Sequence, residues 1–163
     1  MARDNVFKIS NDLGAIQEFV DNITSPLEAR WSPRDIQAVK MGLYETIVNA
    51  IEHGNLAIDS ETKNKALEAG NLDHIIEERA KKDPFSSRMV TIECVEEDEK
   101  AIFIVSDEGD GFNRHDMPDP TDDENVEIPH GRGIFIVRSL MDEVSFNEKG
   151  NSVCLAKYYT GNT

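Results

Sequence analysis

Basic residues are scarce in this sequence: 17 Lys and Arg stand against 32 Asp and Glu, a formal net charge of −15 over 163 residues. No Lys/Arg-rich patch interrupts the acidic background, so the electrostatic footprint by which a protein holds duplex DNA or RNA is missing. The acidic balance serves solubility first and suits a basic protein surface as partner second. Long apolar runs are missing too. The longest uncharged ones, Ala101 to Val105 and Gly133 to Val137, have the length of a strand or a short helix, far below the roughly 20 residues of a membrane span. The start Met1-Ala2-Arg3-Asp4 carries no apolar signal region, from which a cytoplasmic protein is expected. Cysteine is nearly absent: Cys94 and Cys154 stand singly in alternating β-branched segments, with no CxxC and no Cys/His cluster of zinc spacing. A reducing compartment disfavours a disulfide between them, each thiol reads as a small buried apolar group, and no structural metal is expected.

What is present is the patterning of one compact domain, residues 1–163, without internal repeats. Val6 to Ile9 alternates as a short strand and is followed by the helix-capping residues Ser10, Asn11 and Asp12. Leu13, Ile16, Phe19, Val20, Ile23 and Leu27 then draw one apolar face of a helix reaching about Ala29. Ser32-Pro33 restarts the chain as cap and first helical position. Ile36, Val39, Leu43, Ile47, Ala50 and Ile51 form the next stripe, which Gly54 ends. From Leu56 to Arg88 the chain is polar, with helix-like spacing around Glu61 to Lys82 that Asp83-Pro84 closes. This reads as an appended helix or two, an insertion at the domain edge, about 56–88, because so long a structureless loop is rare in a compact domain. Two hairpins are predicted, Met89–Val95 with Ala101–Ser106, and Val144–Asn147 with Ser152–Tyr158. Between them lie a flap from His115 to His130, rich in proline and acids, and a helix from about Gly133 to Met141. Helices early and antiparallel strand pairs late predict an α+β two-layer sandwich, a mixed, mostly antiparallel sheet covered on one face by helices.

Three segments carry side chains suited to chemistry. On the helix Tyr44 to Asn55, the residues Glu45, Asn49, Glu52 and His53 are spaced to share one side, opposite Leu43, Ile47 and Ala50. A carboxylate and a carboxamide one turn apart can serve as a general base and as an oxygen ligand for Mg²⁺; the solvated face of an amphipathic helix has the same pattern. In Ser106-Asp107-Glu108-Gly109-Asp110-Gly111-Phe112, Asp107 ends a strand and can accept from an exocyclic amine, while Gly109 and Gly111 admit a close planar ligand. A simple turn leaving a strand reads likewise. In His130-Gly131-Arg132-Gly133-Ile134, glycines open a helix whose free N–H groups attract phosphate, with Arg132 adding a cation; a glycine-softened loop before a core helix is the other reading.

In this order the three segments resemble the nucleotide-binding boxes of the GHKL ATPase superfamily, and the ending Gly131 to Val144 is particularly similar to bacterial anti-sigma-factor serine/threonine kinases. The likeness covers about Val6 to Tyr158 apart from the 56–88 insertion. It implies the Bergerat-type ATP-binding fold, with ATP and Mg²⁺ as cofactors. By resemblance Glu45 matches the general base, Asn49 the Mg²⁺ ligand and Asp107 the adenine-binding aspartate. Gly109 and Gly111 lie beside the base, and Gly131, Arg132 and Gly133 match the end of the lid that closes on the phosphates. His53 occupies a place where the superfamily often has a phosphate-reaching Lys or His; its position near a helix C-terminus also has a purely structural reading. The resemblance implies a kinase acting on a serine or threonine of an anti-sigma-factor antagonist, a sigma factor as competing partner, and a homodimer.

The insertion departs from that pattern, and packing onto the sheet edge is the role its apolar residues suggest. A histidine kinase is set aside because no dimerising segment with a phosphoacceptor histidine precedes the first strand. A gyrase-type hydrolase is set aside because no transducer domain follows Tyr158. A module that uses ATP only to set its shape, sequestering a partner without transfer, remains the alternative.

Overall fold

The structure, a computed structural model, describes residues 3–111 and 129–161, and for 3 and 129–134 the backbone only. Five strands form one sheet: β1 (Arg3–Ile9), β2 (Val90–Glu96), β3 (Lys100–Ser106), β4 (Glu143–Phe146) and β5 (Ser152–Tyr158), in the order β1-β2-β3-β5-β4, every pairing antiparallel. Residues of β2 and β3 alternate between faces, as the two-residue period of a strand requires. The register sets Ile92 opposite Val105 and Cys94 opposite Phe103, and β5 adds Leu155 opposite Phe103. These side chains are buried, and removing each from water contributes roughly 1.5–3 kcal/mol for the larger ones.

Helices cover that face. The first apolar stripe is α-helical only over α1 (Ile16–Thr24), flanked by 3-10 turns at Leu13–Ala15 and Ser25–Arg30. The single helix predicted there is cut short because Pro26 cannot donate a backbone bond. Helix α2 (Pro33–Asn49) begins as expected: the Ser32 hydroxyl accepts from Asp35 N at 3.2 Å with Pro33 at the first turn. Val20, Leu27, Val39, Leu43 and Ile47 are fully or almost fully buried and join Ile92, Phe103 and Leu155 in one apolar cluster.

The insertion forms two helices, α3 (Ser60–Ala69) and α4 (Leu72–Ala80), separated at Gly70, whose φ is 71°. Ile76 of α4 joins the core, while Leu67 of α3 is 54% exposed. Helix α5 (Pro129–Leu140) starts four residues before the expected Gly133, so Gly131 and Gly133 lie within its first turns. Val137 and Met141 carry its apolar side to the core. The flap expected at His115 to His130 lies, up to residue 128, outside the described residues. Cys94 and Cys154, on β2 and β5, are free thiols.

Candidate functional site

Helix α2 does not stop at Asn49. From Ala50 to Asn55 it widens into a π-helical turn, in which Leu56 N bonds back five residues to Ile51 O at 2.9 Å. Such a turn rotates each residue less than an α-helix does and is frequent at functional sites. The 3.6-residue projection that grouped Glu52 with Glu45 and Asn49 fails here. Glu52 turns inward and is 3% exposed. Its Oε2 lacks a well-aligned hydrogen bond, and the Lys63 ammonium at 2.7 Å compensates its charge.

The same turn places Gly54 and Asn55 against the loop after β3. A β-carbon on Gly54 would lie 2.3 Å from the Asp107 carboxyl carbon, and one on Gly109 would lie 2.3 Å from Gly54 O. Neither contact is sterically allowed, so both residues are glycine for close approach rather than for conformational freedom. Asn55, 0% exposed, accepts from Glu108 N at 2.7 Å and donates to Asn11 Oδ1 at 2.8 Å. The loop is further held by Asp107 N donating to Asn151 O at 2.9 Å and by Gly109 N donating to Asp107 Oδ1 at 2.8 Å. Gly111, at φ 77°, passes so close to Lys149 O that a β-carbon would lie 2.0 Å from it.

Between α2, this loop and α5 opens a cavity of about 410 Å³. Val105, Val137, Val144, Phe146 and Val153 supply its apolar surface; Thr46, Asn49, His53, Asp107 and Asp110 supply polar groups. Its size and its mixture of apolar walls with a few polar groups are those of a small-molecule site. Burial pushes the Asp107 carboxyl up to about 6, against the opposing pull of the Gly109 N–H and the charges of Arg88 and Lys149. Burial also lowers the pKa of His53, and the nearby Lys63 acts in the same direction. The His53 Nδ1 lies 2.5 Å from Ile58 O; a carbonyl only accepts, so Nδ1 carries the proton.

Of the residues singled out by sequence, Asn49, His53, Asp107 and Gly111 line this one cavity. Gly109 is buried behind it, against Gly54. Glu45 is half-buried one turn before Asn49 and is not among the lining residues. Gly131, Arg132 and Gly133 belong to the first turns of α5, and their side chains lie outside the described residues. Sequence reasoning missed Thr46 and Asn55, as well as the contribution of Ala57 to Ser60. Thr46 was legible in principle, since it precedes Asn49 by three residues on one helix face. Asn55 was not, because its partners are distant in sequence and its inward direction depends on the π-helical turn. Among the described residues no cluster of three or more metal-ligating side chains occurs, and no helix is long and apolar enough to cross a membrane.

Comparison with known proteins matches this geometry to a family. The histidine kinase-like ATPase domain matches residues 9–157. The serine-protein kinase RsbW of Staphylococcus epidermidis is 26% identical over 132 residues, and RsbW of Staphylococcus aureus strain JH9 is 28% identical over 131 residues. Each match covers 76% of this chain and 66% of the relative, just under two-thirds of its length. With the domain match running through nearly the whole chain, and with an antiparallel sheet backing the cavity, the chain belongs to the histidine kinase-like ATPase family.

Proposed function

We propose that this protein binds Mg-ATP in the 410 Å³ cavity and transfers the γ-phosphoryl group to a serine or threonine of a partner protein, an anti-sigma-factor antagonist. One observation carries the reading: residues far apart in sequence, Asn49 on a helix and Asp107 after a strand, open onto one cavity that Val105, Val137 and Val153 also line. The residues fit the ligand. Val105 and Val153 suit the faces of a purine, and Asp107 is an acceptor for an exocyclic amine. Asn49 offers the single oxygen ligand that suffices for Mg²⁺, which keeps waters and takes phosphate oxygens for its other positions. When bound, Mg-ATP supplies the phosphoryl group and the metal's neutralising charge.

The chain's own residues then do the positioning. Asp107, braced by Gly54, Asn55 and the Gly109 N–H, fixes the base. Gly109 and Gly111 keep the loop close to it, and Asn49 and His53 face the phosphate end. Gly131, Arg132 and Gly133 close the lid on the phosphates. Glu45 stands one turn from Asn49, roughly 5–6 Å between β-carbons, and accepts the proton of the attacking hydroxyl; holding that hydroxyl in line contributes most of the rate. The names of the staphylococcal relatives support a serine kinase. A sigma factor as competing partner, a homodimer, a cytoplasmic location, no direct nucleic-acid contact and a single domain with the 56–88 segment as insertion complete the reading.

Glu45 does not line the cavity, which favours a second reading, an ATP-dependent module that sequesters its partner without transfer. Incubation with γ-labelled ATP and candidate antagonist proteins separates the two. Label on a serine or threonine of the antagonist is expected. Tight partner binding with no label transferred leaves the sequestering module.

A further inference from the structure

The insertion returns to the sheet at Arg88, and that return is fastened to the loop after β3. Arg88 Nη1 donates to Asn55 O at 2.8 Å, and Asn55 Oδ1 accepts from Glu108 N at 2.7 Å. The Glu108 carboxylate in turn accepts from the N–H of Met89, the residue after Arg88. Three bonds thus make a ring that runs from Arg88 through the π-helical turn and the neighbour of Asp107 back to the backbone beside Arg88. We infer that Arg88 is a positioning residue for Asp107, through which the end of the insertion holds the base-recognising carboxylate in place; this rests on the ATP reading above.

Arg88 is itself held in place. Its guanidinium carbon lies 5.1 Å from the centre of the Phe85 ring, within the range of cation–π attraction. Asn11 Nδ2 donates to Arg88 O at 3.1 Å and to Phe85 O at 3.3 Å, while Asn11 Oδ1 accepts from Asn55. The Arg88 side chain is half-buried, and a charged donor makes a stronger bond to a carbonyl than a neutral one does. That bond ends on Asn55, the residue after Gly54, whose α-carbon packs directly on the Asp107 carboxylate. Arg88 also acts on Asp107 through space. Burial favours the neutral carboxyl, and the positive charges of Arg88 and of Lys149, from the β4–β5 turn, favour the charged one. The other ionisable groups around it are His53 of the π-helical turn, which lines the same cavity, and Glu108 and Asp110 of its own loop. The ionised form is the stronger acceptor for an exocyclic amine, so the bonds of the ring and the charge of Arg88 serve the same contact.

Adenosine and purine riboside, which differ only in the exocyclic amine, separate positioning of Asp107 from a merely structural bond. Arg88→Gln removes the charge, Arg88→Lys keeps it with a shorter reach, and thermal unfolding checks that both variants fold. By calorimetry Arg88→Gln is expected to weaken adenosine about fivefold and purine riboside less than about twofold, with Arg88→Lys between Arg88→Gln and the parent. Equal losses on the two nucleosides, or no loss on adenosine in Arg88→Gln, overturn the positioning role. A second measurement needs no ligand. The carboxyl carbon of Asp107, followed by NMR in the free protein, is expected to titrate at about 6 in the parent and at higher pH in Arg88→Gln, because loss of a positive neighbour favours the protonated form. An unmoved midpoint overturns the link from Arg88 to Asp107. Should the midpoint move while the parent binds neither adenosine nor a non-hydrolysable ATP analogue with Mg²⁺, the ATP reading fails and the link between the two residues stands.

Discussion

Gly54 and Asp107 are in contact so close that residue 54 has no room for a β-carbon, which would lie 2.4 Å from one Asp107 carboxylate oxygen and 2.6 Å from the other. The Asp107 carboxylate cannot retreat cheaply, because the Gly109 N–H holds it at 2.8 Å. Gly54→Ala is therefore expected to push the carboxylate out of place. The stability cost is that of an overpacked site, about 1–3 kcal/mol by urea unfolding. Affinity for the nucleotide is expected to fall about tenfold or more by calorimetry. A variant that binds as the parent does would detach Asp107 from base recognition.

Asn55 is the second brace. Asn55→Leu removes the acceptor of Glu108 N and the donor to Asn11 together. With those groups left unsatisfied, a loss of about 2–4 kcal/mol is expected. Asn55→Asp retains the acceptor toward Glu108 N and is expected to retain more nucleotide affinity than Asn55→Leu. Urea unfolding and calorimetry measure the two effects separately, and equal affinities for the two variants would contradict the bracing role.

Asp107 predicts a pH dependence. Its folded-state pKa is raised from 3.8 to about 6, so the folded protein holds a proton over that interval that the unfolded chain releases. The associated stability is present in full below pH 3.8 and is lost as pH rises through about 6. Asp107→Asn removes that loss. The variant is expected to be more stable than the parent at pH 7, the advantage shrinking as pH falls from 6 toward 4, while its nucleotide affinity drops because a carboxamide oxygen accepts less strongly than a carboxylate. Thermal unfolding across pH 4–7 checks the first effect and calorimetry the second; a constant gap between the two proteins across that range would refute the titration.

Under the proposed function, substitutions at Asn49 and Glu45 separate binding from transfer. Asn49→Ala is expected to lose Mg-ATP affinity by about tenfold or more with the fold intact, since its side chain is half-exposed to the cavity rather than in the core. Glu45→Ala is expected to bind nucleotide within about twofold of the parent and to lose phosphoryl transfer by about a hundredfold. A fully active Glu45→Ala protein would remove that carboxylate from the mechanism.

The secondary elements were legible because their signals are local. Ser32-Pro33 announced α2, β-branched alternation announced β2, β3 and β5, and the cap at Asp12 was visible in its sequence neighbours. The misjudged boundaries also have local causes. Pro26 interrupts the α1 stripe, and the start of α5 at Pro129 lay hidden in a segment without periodicity. The site was legible as three patterns whose order suggested a nucleotide. Their convergence on one cavity was not, because Asn55 and Glu108 stand 53 residues apart and meet only in the folded protein.

By itself the sequence determined the strand and helix types, the acidic charge, and the residue kinds available to a nucleotide, all of which follow from periodicity and chemistry within a few neighbours. Tertiary structure alone decided that the helix after Asn49 widens, that Glu52 turns inward to Lys63 and that Asn55 braces the Asp107 loop. It also decided that the insertion forms part of the cavity. The physical reason is shared. A π-helical turn is not marked by any simple residue spacing, and it persists where long-range contacts compensate the backbone and charge it buries: Lys63 for Glu52, and Glu108 and Asn11 for Asn55.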